Sequence, residues 1–195
     1  FLSLGQGDRV TSILAIPKPS SKASKSPESR VPSPESYIVM LTKYGIIKKV
    51  PAGSFEHVRK SGLIAMTLKN GDMLGWARRT SGKDELLLVT KKGKAIRFSE
   101  RDVRPMGRQA AGVTAFRLKK DDEVVGMDVI IRDEARMTKH EALIVMENGY
   151  GKKIALKQYK KQRRGGSGIK TAKVTEKTGN VVSAQIIGED FEELI

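Results

Sequence analysis

The segment Tyr37-Ile-Val-Met-Leu-Thr-Lys-Tyr-Gly45-Ile-Ile-Lys-Lys49 is written again as Glu85-Leu-Leu-Leu-Val-Thr-Lys-Lys-Gly93-Lys-Ala-Ile-Arg97. It returns as Glu141-Ala-Leu-Ile-Val-Met-Glu-Asn-Gly149-Tyr-Gly-Lys-Lys153. Each copy is an apolar run, a turn carrying glycine, and a second run ending in positive charge. A second glycine follows at a near-constant distance (Gly62, Gly112, Gly168) and opens a further apolar run. Self-similarity at a period of about fifty residues means that one supersecondary unit is stacked against its own copies.

Within each copy the pattern is β. Val, Ile and Leu runs are separated by Lys-Tyr-Gly, Lys-Lys-Gly, Glu-Asn-Gly and Lys-Asn-Gly turns, which signal hairpins with a glycine at positive φ. The first copy reads as four strands, at Ile38–Leu41, Ile46–Val50, Leu63–Leu68 and Met73–Arg78. An irregular segment with room for one helical turn lies between the second and third. Four short strands per repeat is the arithmetic of propeller blades. The expected fold is all-β and propeller-like, with repeated four-stranded blades at 36–83, 84–140 and 141–191. Residues 1–16 read as the end of a preceding blade and 192–195 as the start of a further one. Residues 17–35 are dominated by Ser, Pro and Lys without apolar periodicity, and are expected to form a disordered inserted loop.

Charge narrows the function. Lys and Arg number 37 against 22 acids, a net +15 in 195 residues, which calls for a polyanionic partner. With no cysteine, disulfides and thiolate metal sites are excluded. No apolar run approaches the roughly 20 residues that a membrane helix needs, and no signal peptide is visible, so a cytoplasmic location is expected. His57 and His140 are isolated, and the acidic pairs Asp121-Asp122 and Glu189-Asp190 read as turn formers. No side-chain catalysis is expected from this chain, nor a metal or cofactor of its own.

The basic residues repeat in register. Lys49, Arg97 and Lys153 each stand four residues beyond a first glycine, with Lys48 and Lys152 preceding two of them. The segments before the second glycines carry Arg59 and Lys60, then Arg104 and Arg108, then Lys160, Lys161, Arg163 and Arg164. Stacked blades would align such charges into a stripe on the rim, matching a phosphate backbone without reading base sequence. Aromatic residues are only 5%, which favours duplex over single strands. In Gln162-Arg163-Arg164-Gly165-Gly166-Ser167-Gly168, two guanidinium forks precede glycines that allow close backbone approach. A phosphate-binding nucleotide loop is ruled out, because the Gly-Lys-Ser/Thr ending is missing.

These residues, with Asp102-Val-Arg-Pro-Met-Gly-Arg108, Gly126-Met-Asp128, Glu147-Asn-Gly-Tyr-Gly-Lys152 and Gly168-Ile-Lys-Thr-Ala-Lys173, carry a resemblance. The chain resembles part of the C-terminal DNA-wrapping domain of bacterial DNA gyrase A, a propeller-like β-pinwheel. Likeness covers nearly everything except residues 17–35. It implies sequence-nonspecific duplex binding and wrapping on a basic rim, in support of ATP-dependent negative supercoiling. The implied partners are double-stranded DNA, the remainder of the gyrase A chain, and gyrase B, which completes the parent heterotetramer. The implied ATP and Mg²⁺ belong to other domains of the parent type II topoisomerase, as does the DNA-cleaving tyrosine. Gln162 to Gly168 match the family's Gln-Arg-Arg-Gly-Gly-Lys-Gly box except at Ser167, as a degenerate copy in a later blade would. Two alternatives stand beside this reading. One is the homologous domain of topoisomerase IV, a substrate selector in decatenation; the other is a propeller scaffold for protein partners.

Overall fold

A computed structural model describes residues 6, 9–15, 36–56, 62–131 and 140–188. The expected loop at 17–35, the stub at 192–195, His57, Arg59, Lys60, Glu189 and Asp190 lie outside the described residues, as does half of 1–16. The described residues form an all-β molecule with short 3-10 turns and three antiparallel sheets.

Each repeat begins with a hairpin. The pairs are β1 (Tyr37–Thr42) with β2 (Ile46–Pro51), β4 (Glu85–Thr90) with β5 (Lys94–Ser99), and β8 (Glu141–Met146) with β9 (Gly151–Ala155). The inner edge of each sheet is supplied later in the same repeat, by β3 (Leu74–Thr80), β7 (Val124–Ile130) and β11 (Val181–Ile187). A 3-10 turn follows each second strand: η1 (Ala52–Phe55), η2 (Glu100–Asp102) and η3 (Leu156–Gln158).

The fourth strand departs from expectation. Leu63–Leu68 forms no strand. Its counterparts are two-residue strands, β6 (Val113–Thr114) and β10 (Ile169–Lys170), and each pairs with the hairpin of the preceding repeat. The sheet orders are β3-β1-β2-β6 and β10-β5-β4-β7, so each repeat supplies an outer strand to the sheet of the one before. The second glycine explains how. At Gly168, φ is +64° and an added Cβ would lie 2.5 Å from the Ala95 carbonyl oxygen of the preceding repeat. Only glycine lets the chain cross that closely. Gly112 sits in the same relation to the Ile47 oxygen, at 2.6 Å.

The core lies between sheets. Leu86 and Leu88 of β4 pack with Val39, Leu41 and Ile47 of the first repeat, whereas Leu87 and Val89 pack with Ala142, Ile144 and Leu156 of the third. β4 is therefore buried on both faces, which is why it reads as an unbroken apolar run rather than an alternation. Each such side chain stabilises the stack by roughly 1.5–3 kcal/mol. The inner strands also meet: the Asp128 carboxylate on β7 accepts from the Ile186 amide of β11 at 2.9 Å and lies 3.9 Å from Arg78 Nε of β3. Backbone bonds repeat the linkage, with Val124 N donating to the Lys43 carbonyl and Val181 N to that of Lys91, both at 2.9 Å.

Candidate nucleic-acid interface

The basic residues of the repeats separate into two populations. Those of the second strands in the first two repeats point into the joints between sheets. Lys48 is fully buried, and its ammonium donates to the carbonyls of Ala65 (2.8 Å) and Arg108. Burial alone pushes its pKa below the usual lysine value. Lys49 donates to the Glu100 carbonyl at 2.9 Å, with the Glu100 carboxylate 3.9 Å away and the Tyr37 ring centroid at 5.0 Å. Desolvation lowers its pKa and the Glu100 charge only partly restores it. Arg97, at the matching position, donates through Nε to Glu85 Oε2 at 2.6 Å and through Nη1 to the carbonyls of Leu156 (3.0 Å) and Tyr159 (3.4 Å).

These two arrangements are one device used twice. Glu100 and Leu156 are the first residues of η2 and η3. In each case a cation leaves the second strand of one repeat and is received by the first carbonyl of the next repeat's 3-10 turn. Lys48, Lys49 and Arg97 thus clamp neighbouring repeats together, which corrects the expectation that they line a solvent-facing rim. The cover comes from the following repeat, whose crossing chain runs parallel to the strand at Lys49 beside Pro105 and at Arg97 beside Lys161. In the third repeat the corresponding Lys152 and Lys153 are exposed.

The second population lies on the crossings themselves. Arg104 and Arg108 are exposed on the segment between η2 and β6; Lys160, Lys161 and Arg163 are exposed between η3 and β10. Both segments run along the outer edge of the preceding sheet, so their charges recur from one repeat to the next. Lys161 is partly committed, with Nζ 3.1 Å from Glu85 Oε1. Burial raises the Glu85 carboxyl, but hydrogen bonds from Arg97 and then Lys161 outweigh it and hold the pKa below the usual carboxylate value. Arg101 and Lys157 belong to the same edge, are exposed, and went unmarked in the sequence reading. The repeat carries the signal, since both stand eight residues beyond the first glycine of their copy and become second residues of their 3-10 turns.

The Gln162–Gly168 loop is anchored on the second repeat. Gln162 N donates to the Arg97 carbonyl (2.8 Å), Gly165 N to that of Ala115 (2.7 Å), and the Gly166 carbonyl accepts from Arg117 N (2.9 Å). Arg164 is half-buried: Nε donates to the Asp102 carbonyl at 2.9 Å and Nη1 to that of Thr114 at 2.8 Å. Arg163 and Ser167 face solvent, while Gln162, Gly165, Gly166 and Gly168 are half-buried. Among the described residues, such an edge offers recurring positive charge and no general acid, base or nucleophile aligned with another. It can bind a polyanion electrostatically.

Relatives place this geometry. Residues 36–81, 84–131 and 143–187 match the family described as DNA gyrase C-terminal domain, beta-propeller. The DNA gyrase A protein of Staphylococcus epidermidis is 42% identical over 159 residues, which span 81% of this chain and 17% of that protein. The chain thus corresponds to a minor part of that relative's length. Among solved structures, the C-terminal domain of DNA topoisomerase IV superposes with a TM-score of 0.73 at 26% identity, covering 80% of this chain and 47% of that one. The DNA gyrase A C-terminal domain does so with a TM-score of 0.70 at 30% identity, covering 81% and 51%. The chain belongs to the DNA gyrase A C-terminal domain family, with its propeller-type fold.

Proposed function

We propose that this chain binds duplex DNA without sequence preference along the outer edge of its sheets, and so serves as the DNA-wrapping surface of a gyrase A protein. The observation that carries the reading is the recurrence of exposed basic side chains, Arg104 and Arg108 and then Lys160 and Arg163, on equivalent crossings of successive repeats. Charges spaced along a curved edge meet successive phosphates of a bent duplex. Bending 20–30 bp by 40–90° costs on the order of 1–6 kcal/mol. Charge neutralisation with counterion release offsets that cost, giving an affinity that falls steeply with salt. Strand cleavage, ATP and Mg²⁺ belong in this reading to other parts of the assembly that gyrase A forms with gyrase B, in the bacterial cytoplasm.

The topoisomerase IV reading has a specific support in the solved C-terminal domain of that enzyme. The 42% identity to a DNA gyrase A protein weighs the other way. Topology tests the proposal. Nicked plasmid is incubated with the chain, sealed with ligase and stripped of protein, and its linking-number distribution is read. A positive shift that fades with salt supports wrapping in the gyrase sense. Binding without a shift favours the topoisomerase IV reading, and absence of binding at low salt refutes the DNA edge.

A further inference from the structure

We propose that the two adjacent arginines of the Gln162–Gly168 loop divide their work: Arg164 is a positioning residue that fixes the loop, and Arg163 makes the phosphate contact. This rests on the DNA-binding reading above.

The two side chains differ in every respect except sequence. Arg164 spends its fork on two carbonyls from separate elements, Asp102 at the end of η2 and Thr114 in β6, both in the preceding repeat. With Nε and Nη1 held by carbonyls at 2.9 and 2.8 Å, two of its five N–H donors are committed and the plane and direction of the guanidinium are fixed by the preceding repeat. Arg163 is exposed, and its side chain has no hydrogen bond or ion pair among the described residues. It stands between two anchored neighbours, Gln162 on the Arg97 carbonyl and Arg164 on the second repeat. Its backbone is therefore held while its charge stays available, and less entropy is lost when it meets a phosphate.

The second repeat supplies the contrast. Counting four residues back from the second glycine, Arg108 occupies the place of Arg164, yet Arg108 is exposed and no side-chain bond holds it among the described residues. The brace is a property of the third repeat's loop and not of the fold in general. In the loop carrying the box-like sequence, one arginine of the pair has been given to architecture.

The test is the salt dependence of duplex affinity for the whole chain and for Arg163→Gln, Arg164→Gln and the double variant, at a temperature where circular dichroism shows all four folded. Arg163→Gln should reduce the slope of log K against log salt by about 0.9, the loss of one phosphate contact. Arg164→Gln should reduce it by the same amount, because the unbraced loop no longer presents Arg163, and the double variant should lose nothing further. Losses that add to about 1.8 would overturn the proposal in favour of two independent contacts. An Arg164→Gln slope equal to the unsubstituted chain's would overturn it in favour of a purely structural role. If Arg164→Gln does not fold, the Nε–H resonances of the unsubstituted chain decide. Arg164 should be protected from exchange before DNA is added and unmoved by it, whereas Arg163 should become protected only with DNA; movement of both refutes the division. No salt-dependent binding by the unsubstituted chain would instead remove the DNA reading itself.

Discussion

Lys49 and Arg108 are both basic, both repeat in register, and both lie near the outer edge of a sheet, yet they do opposite things. Lys49 and its counterpart Arg97 sit on strands, are covered by the next repeat, and end on its first turn carbonyl. Arg108, with Arg104, Lys160 and Arg163, sits on the crossing that does the covering and keeps its side chain in water. A buried cation must be received by oxygen or it costs several kcal/mol. An exposed one costs little and remains free for a phosphate. Placement relative to the crossing chain, rather than residue type or period, decides which role a repeated charge takes.

Arg97→Ala should separate the two populations most forcefully. It leaves Glu85 buried with Lys161 alone and strips the Leu156 and Tyr159 carbonyls of a donor. The expected loss is about 3–5 kcal/mol of unfolding free energy, measured by urea denaturation. While the chain stays folded, its DNA salt slope should not change. Gly168→Ala tests the junction between strand and crossing, where positive φ and the Ala95 oxygen leave no room for a methyl group. Backbone strain of about 1–3 kcal/mol should appear as lowered stability, accompanied by weaker DNA binding because the loop is displaced.

Acid should act on the clamp and spare the edge. The Glu85 carboxyl is held below its ordinary value, so the unfolded chain takes up the proton first. The stabilisation is complete above about pH 4.3 and is lost as pH falls through the lower folded value. Lys161→Met, which removes one of its two cations, should shrink that acid loss in thermal melts taken between neutral pH and pH 3. On the edge, Arg108→Gln should change stability by no more than about 0.5 kcal/mol while removing about 0.9 from the salt slope. The smallest effect should come from Ser167→Lys. Ser167 is exposed within the anchored loop, so an added charge there should raise low-salt affinity and leave the melting temperature unmoved.

Much of the architecture was legible because it rests on local rules. Glycine-bearing hairpin turns and apolar runs of strand length marked β1, β2, β4, β5 and β8, and the period marked the stacking. The origin of the outer strand was not legible. β6 and β10 are two residues long, and a repeat period says nothing about whether a strand pairs within its own copy or with the one before. The burial of Lys49 and Arg97 was concealed for a similar reason, since a clamp and a rim repeat with the same spacing. Strand register held the missing clue. Arg97 stands across from Leu87, and Lys49 across from Val39, so each lies on a face otherwise given to core residues. A basic residue opposite a buried leucine or valine is better read as a clamp where a following repeat covers it; Lys153, across from Leu143 in the third repeat, is exposed.

Whether DNA affinity resides in the crossings or in the strands is decided by one measurement. Duplex binding is followed by fluorescence anisotropy from 50 to 200 mM salt for the unsubstituted chain and for a variant with Arg104, Arg108 and Lys160 all changed to Gln. With the affinity in the crossings, the fold stays intact and the salt slope falls by roughly 2.7, at about 0.9 per lost contact. A slope left unchanged would contradict this and place the phosphate contacts elsewhere on the molecule.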